Sequence, residues 1–149
     1  MTTLIIDSRE KTPLPFSVPT LRAGLMTADY SIQGLEHLFG VERKSLDDLA
    51  SSCTAGRDRF ERELVRLRGY RFKRLLIIGD RQDIEDGNYR SRANPKAILA
   101  TLAAFEVRYD LPVVWAPTPE HGGQLIEEWA HWFIREYLKT AEIIMEATQ

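Results

Sequence analysis

Three consecutive residues, Glu42, Arg43 and Lys44, place an acid, a guanidinium and an amine side by side near the end of a predicted strand. Successive side chains of a strand point to opposite faces, so we expect Glu42 and Lys44 to share one face and Arg43 to take the other. A carboxylate that binds a divalent cation, next to an ammonium that stabilises charge or positions a water, suits metal-assisted phosphodiester cleavage. The same spacing also occurs on solvent-exposed strands, so its meaning depends on residues upstream.

Two further acids stand at or near predicted strand ends. Asp7 follows the apolar run of residues 4–6, and Asp29 lies at the start of a predicted strand over residues 28–32. Together with Glu42 they would provide hard oxygen ligands, which suit Mg²⁺ or Mn²⁺. Each acid alone could equally be a solvent-facing residue at a strand end. The residues by themselves leave both interpretations open.

The elements that must position these residues alternate along the chain. Strands are predicted at residues 4–7, 28–32, 38–42, 74–80 and 111–115, with a short strand or a turn at 21–25. Helices are predicted at residues 46–50, 58–67 and 97–107, and from residue 118 towards the end of the chain. Ser45 and Asn94 are expected helix caps, whereas residues 82–92 are predicted to form a mobile loop. A hairpin followed by alternating helices and strands predicts an α/β fold with a central mixed sheet flanked by helices.

Composition points to one domain of 149 residues, long enough to bury a core. The N-terminus does not resemble a signal peptide, and no apolar stretch approaches the ~20 residues that span a bilayer. The single Cys53 cannot form an internal disulfide, which fits a reducing cytoplasm, either bacterial or that of a phage host.

The net charge of −2 is unevenly distributed, because eight basic and three acidic residues lie between positions 57 and 74. This block is either a contact surface for an anionic partner such as DNA or a salt-bridged helix face.

The chain resembles the signature of the XPF-type structure-specific nucleases. That signature has an Asp-x-Arg-Glu on the first strand, then a Gly-Asp, then Glu-Arg-Lys-x-x-x-Asp. The matching segments here are residues 7–10, residues 28–29 and residues 42–48, with the final acid at Asp48. The resemblance implies a restriction-endonuclease-like fold, Mg²⁺ or Mn²⁺ as cofactor, a homodimer formed by nuclease domains, and cleavage of branched or flapped DNA.

The resemblance also assigns expected roles to residues. Asp7, Asp29 and Glu42 would bind the metal, and Lys44 would lie near the attacking water. Arg43 would either brace the site through Asp48 or touch a phosphate. The expected DNA contacts are Arg9, Arg57, Arg59, Arg62 and Arg66, with Arg57 the one most open to a structural role.

Two departures from the family pattern bear on these expectations. Ala28 stands where the family has glycine, a change that should be tolerated unless the position needs a positive φ angle. No tandem helix-hairpin-helix module is expected in this chain, so substrate choice would come from the nuclease domain, a partner or dimerisation. The alternative to an enzyme is a catalytically silent DNA-binding or scaffold partner of another nuclease.

The last predicted helix is unusually aromatic. It carries Trp129, Trp132, Phe133 and Tyr137, more than one face of a helix easily buries in a small domain. These side chains could pack in the core, or they could anchor a symmetric dimer interface.

Overall fold

A six-stranded mixed sheet runs through the middle of the protein in the computed structural model, which describes residues 2–149. The strands are β1 (Leu4–Asp7), β2 (Thr20–Ala23), β3 (Tyr30–Ile32), β4 (Phe39–Ser45), β5 (Phe72–Ile78) and β6 (Val113–Ala116). Their spatial order is β2-β1-β3-β4-β5-β6. Helices cover both faces, and the predicted α/β fold with a central mixed sheet is therefore confirmed.

The predicted hairpin is present, because β3 pairs antiparallel with β4 as well as with β1. Beyond the hairpin, β4, β5 and β6 are parallel. Backbone hydrogen bonds continue past the end of the short β3, since Asp7 N–H donates to Asp29 O (2.9 Å) and Asp29 N–H donates to Val41 O (3.0 Å). These hydrogen bonds place Asp7, Asp29 and Val41 on three neighbouring backbone segments, with Glu42 directly after Val41.

The helices are α1 (Leu46–Ser52), α2 (Arg57–Leu67), α3 (Arg81–Glu85), α4 (Pro95–Tyr109) and α5 (Pro119–Ala147). The predicted caps are confirmed: Ser45 accepts a hydrogen bond from the N–H of Asp48, and Asn94 accepts from the first turn of α4. Thr118 caps α5 in the same way. These hydrogen bonds satisfy backbone donors that have no partner within the helix.

Helix α3 corrects the sequence prediction, which had placed a mobile loop over residues 82–92. Asp80 accepts a hydrogen bond from the N–H of Gln82 and so begins a short helix. Ile84, the apolar residue of this helix, is fully buried in the core. A single apolar residue shows no helical period, and the burial that fixes this segment comes from the rest of the fold.

Two apolar cores lie on opposite faces of the sheet. Helices α1, α2 and α4 pack on one face around residues such as Phe60 and Phe105, and α5 packs on the other around Phe39 and Ile126. Side chains of β5 alternate between the two cores, as expected for a strand buried on both faces. None of the helices within residues 2–149 has the length and apolar character required to cross a membrane.

Candidate active site

The acids predicted from the sequence line one cleft at the carboxyl-terminal side of β1 and beside β4. Its volume is about 190 Å³. Asp7, Asp29 and Glu42 all contribute to its wall, and helix α2 closes the opposite side. The remaining charged residues of the wall are Arg9, Glu10, Arg59, Glu63 and Arg66.

Asp7 is the most firmly held of the three acids. Its Oδ1 accepts a hydrogen bond from the N–H of Leu25 (3.0 Å) and its Oδ2 accepts one from Nε of Arg9 (2.8 Å). Burial alone would raise the pKa of this carboxyl, but the Arg9 guanidinium and the Leu25 N–H outweigh it and hold the pKa below its usual value. Asp7 is therefore a carboxylate at neutral pH, and Arg9 is engaged with it at the rim of the cleft.

Asp29 is half-buried and is positioned by an unusual backbone turn. Ala28, just before it, has φ 69°, so this position does need the positive φ that glycine adopts most easily. The turn directs Oδ2 of Asp29 to the N–H of Arg43 (2.8 Å). Burial raises the pKa of Asp29 to about 7, and the hydrogen bond from Arg43 offsets only part of that effect.

Glu42 and Lys44 share one face of β4, as expected. Nζ of Lys44 lies 3.9 Å from Oε1 of Glu42 and 3.7 Å from Oε2 of Glu63. The lysine side chain also packs against the ring of Phe60, 4.9 Å from its centroid. Burial, and then repulsion by Asp29, raise the pKa of Glu42 above its usual value. The ammonium of Lys44 thus lies between the carboxyl groups of Glu42 and Glu63, which repel each other when both are ionised.

Glu63 is a residue of the cleft that the sequence analysis missed. It lies on α2, four residues after Arg59, whose Nε is 3.8 Å from Oε1 of Glu63. A signal for it exists in the sequence, because position 63 follows the buried Phe60 by three residues and so borders the apolar stripe of the helix. A carboxylate at that position must lie near the sheet rather than in solvent.

Arg43 points away from this cleft, to the other face of β4. Its guanidinium donates to Oε2 of Glu10 (3.3 Å), to the carbonyl of Thr12 (2.6 Å) and to the hydroxyl of Tyr30 (3.3 Å). Among residues 2–149, its ion pair is with Glu10 and not with Asp48, which is exposed. Of the two roles left open for Arg43, bracing through Asp48 is not seen among the described residues, because the guanidinium pairs with Glu10 instead.

The predicted DNA contacts divide into two groups. Arg9, Arg59 and Arg66 lie along the cleft wall. Arg62 is exposed on α2 outside that wall, and Arg57 stacks over the ring of Phe105, 5.4 Å from its centroid. Arg57 therefore packs on an aromatic ring outside the cleft wall.

The donor set of the cleft fits a hard divalent cation, although the acids stand apart in this arrangement. Within the described part of the chain, no three histidine, cysteine, aspartate or glutamate side chains are close enough together to hold a metal ion. Asp7 is held by Arg9, and Glu42 faces Lys44. However, all the donors are carboxylate oxygens, and Oε2 of Glu63 is a buried acceptor without a hydrogen-bond partner. An oxygen-only set with an unsatisfied acceptor suits Mg²⁺ or Mn²⁺.

Comparison with known proteins identifies a family and a set of similar solved structures. The family model described as "ERCC4 domain" matches residues 6–128. The structure of XPF from Aeropyrum pernix in complex with DNA is 22% identical, with a TM-score of 0.71, and the match covers 91% of this chain and 66% of that chain. A second structure of XPF from Aeropyrum pernix is 23% identical, with a TM-score of 0.71, over 87% of this chain and 60% of that chain.

At these identities the likeness to the two structures establishes a shared fold. The chain spans less than two thirds of the length of those structures. No curated protein sequence matches it.

Proposed function

The chain belongs to the ERCC4 domain family, and on that basis we propose that it is a metal-dependent endonuclease that hydrolyses phosphodiester bonds in DNA. The observation that carries the proposal is the backbone ladder between Asp7, Asp29 and Val41, which brings three acids into one cleft beside Lys44. Mg²⁺ or Mn²⁺ is the proposed cofactor, with Asp7, Asp29 and Glu42 as the residues that would hold it. When bound, such a cation neutralises a phosphate oxygen and makes a water more acidic.

Lys44 is the residue that we propose contacts the phosphate group to be cleaved. Its side chain is only 14% exposed and is fixed by the Phe60 ring and two carboxylates, so the ammonium has little freedom to move into solvent. A cation held in a partly desolvated site interacts strongly with the charge that develops on a phosphate. Its proposed roles are to stabilise that charge and to position the attacking water.

Arg43 and Glu10 are proposed to keep the acids in place. The main chain of Arg43 bonds Asp29, and its side chain ties the segment after β1 to β3 and β4 through Glu10, Thr12 and Tyr30. A displacement of either strand would therefore move Asp29 relative to Glu42. Asp48 is proposed to contribute only through the first turn of α1.

DNA is the proposed substrate, in a branched, flapped or otherwise structured form. One of the similar structures is described as a complex with DNA. In this chain, Arg59 and Arg66 lie on the cleft wall and Arg62 is exposed between them on α2. Guanidinium groups on one exposed helix face can follow a phosphate backbone, each neutralised phosphate releasing counterions.

We also propose that the protein forms a homodimer through helix α5. Trp132 is 53% exposed and borders an apolar groove of about 290 Å³, which Trp129, Phe133 and Tyr137 also line. Further apolar side chains of the same helix, Leu138, Ile143, Ile144 and Met145, are exposed. Sedimentation equilibrium of the wild type and of Trp132→Ser tests this interface, and an unchanged mass for the variant would contradict it.

The proposed function is tested by incubating the protein with flapped, branched and linear DNA in Mg²⁺, in Mn²⁺ and in chelator. We expect metal-dependent cleavage that Asp29→Ala and Lys44→Ala abolish and that Lys96→Ala, at an exposed position of α4 outside the cleft wall, leaves intact. Cleavage that survives both site substitutions would remove the proposed site. DNA binding without cation binding would instead support a catalytically silent DNA-binding partner.

A further inference from the structure

Glu63 has one carboxylate oxygen for which the fold provides no donor. Its Oε2 is buried and lacks a hydrogen-bond partner among the residues that the structure describes. The nearest cation, Nζ of Lys44, is 3.7 Å away, which is too far for a hydrogen bond. A buried acceptor left without a donor destabilises the fold, because the oxygen has lost its hydrogen bonds to water without replacement.

The environment of that oxygen indicates what kind of group would satisfy it. Oε1 faces the exposed guanidinium of Arg59, whereas Oε2 lies on the inner side, next to Lys44. Glu63 shares the cleft with Asp7, Asp29 and Glu42, so four carboxyl groups line one cavity and their negative charges repel one another. A hard cation would satisfy the free oxygen and reduce the repulsion together.

We propose that Glu63 is a fourth oxygen donor for the divalent cation, supplied by helix α2 to the three acids of the sheet. This inference rests on the proposed function, because it concerns the same cation site. Glu63 lies on α2 and is outside the three motif segments, residues 7–10, 28–29 and 42–48, from which the other ligands were predicted.

The placement of Glu63 also connects the cation to the DNA-binding surface. Arg59 and Arg66 lie four residues before and three residues after it, and all three line the cleft. Residues at these spacings share one face of a helix. A cation held by Glu63 would therefore fix α2 with its two arginines directed towards the phosphate that is to be cut.

The test is calorimetric titration of Mn²⁺ into the metal-free protein, without DNA. Glu63→Gln keeps the shape of the side chain and removes its charge, and we expect it to weaken Mn²⁺ binding by at least about tenfold. Glu61→Gln is the matched control: this acid lies on the same helix but bonds Arg108 and Tyr109, so the affinity should not change. Glu42→Gln serves as the positive control.

Thermal unfolding of each metal-free variant establishes that it is folded, and Glu63→Asp provides a second, shortened carboxylate that we also expect to bind Mn²⁺ more weakly. An affinity of Glu63→Gln equal to that of the wild type overturns the inference, including when cleavage falls, since Glu63 would then act only through Lys44. If Glu42→Gln weakens binding and Glu63→Gln does not, the proposed function survives alone. Absence of Mn²⁺ binding by the wild type overturns both.

Discussion

The main-chain N–H of Arg43 donates a hydrogen bond of 2.8 Å to Oδ2 of Asp29, and this bond fastens a half-buried acid to the strand that carries Glu42. Asp29 consequently lies close enough to Glu42 for its charge to raise the pKa of that carboxyl further, beyond the effect of burial. A single backbone bond cannot offset the burial of Asp29, and its pKa rises to about 7. The cleft is therefore least stable as a fully ionised, cation-free site.

Removal of the charge at Asp29 should stabilise the metal-free protein. The folded-state pKa of about 7 lies above the usual 3.8, so the contribution of Asp29 to stability is fully present below about pH 3.8 and is lost as the pH rises through 7. We expect Asp29→Asn, whose amide oxygen can still accept from Arg43, to raise the free energy of unfolding at pH 8 by about 2 kcal/mol. Urea denaturation at pH 5 and pH 8 measures the difference.

Two controls accompany that measurement. Asp58→Asn changes an exposed acid on α2, and its stability should follow the wild type at both pH values. Addition of Mg²⁺ should stabilise the wild type at pH 8 more than Asp29→Asn, because the variant lacks one of the proposed ligands. A destabilised Asp29→Asn at pH 8 would show that burial of the charge is not the dominant cost at this position.

Ala28 should respond to substitution according to its positive φ. Ala28→Gly relieves the strain of that conformation but loses a buried methyl group, worth about 0.8 kcal/mol, so the net change in unfolding free energy should stay within about 1 kcal/mol. Ala28→Val should destabilise by about 2 kcal/mol or more, because a β-branched residue disfavours this φ. It would also crowd Gly40, where an added Cβ would lie only 3.2 Å from that of Ala28. Equal stabilities of the two variants, measured by urea denaturation, would contradict the backbone argument.

Loss of the Arg43 guanidinium should lower stability and activity together. In Arg43→Ala, the carboxylate of Glu10 still accepts a hydrogen bond from the Tyr30 hydroxyl, but the carbonyl of Thr12 loses the donor that Arg43 provides. We expect the free energy of unfolding to fall by about 2 kcal/mol. Arg43→Lys retains a charge that can meet one of those acceptors, and we expect it to lose less than Arg43→Ala. Guanidinium denaturation and a cleavage assay on the same samples test the coupling. Full activity in a destabilised Arg43→Ala protein would show that the contacts of the Arg43 side chain stabilise the fold without positioning the acids of the cleft.

The arginines of α2 should control the salt dependence of DNA binding. If Arg66 contacts a phosphate, Arg66→Ala should reduce the slope of log affinity against log salt concentration by about one unit. The matched substitution Lys96→Ala removes an exposed cation of α4 that does not line the cleft, and it should leave the slope unchanged. Fluorescence anisotropy with labelled DNA over a series of salt concentrations provides the slopes, and equal slopes for both variants would place the DNA elsewhere.

Much of the fold follows from local features of the sequence. The apolar run of β5, the caps Ser45 and Asn94 and the apolar stripe of α2 each act over a few residues, so propensity and periodicity reveal them. Helix α3 escaped prediction because its stability depends on Ile84 being buried by distant parts of the chain.

By itself, the sequence determined that Asp7, Asp29, Glu42 and Lys44 stand in or next to short strands, because that placement is a local property. Only the tertiary structure decided that Glu63 closes the cleft and that Arg43 pairs with Glu10, 33 residues away. Such contacts depend on sheet order and on how a helix packs, which no window of sequence specifies. The positive φ of Ala28 also depends on the tertiary structure. Backbone hydrogen bonds of the neighbouring Asp29 to the adjacent strands hold Ala28 in a conformation that alanine rarely adopts.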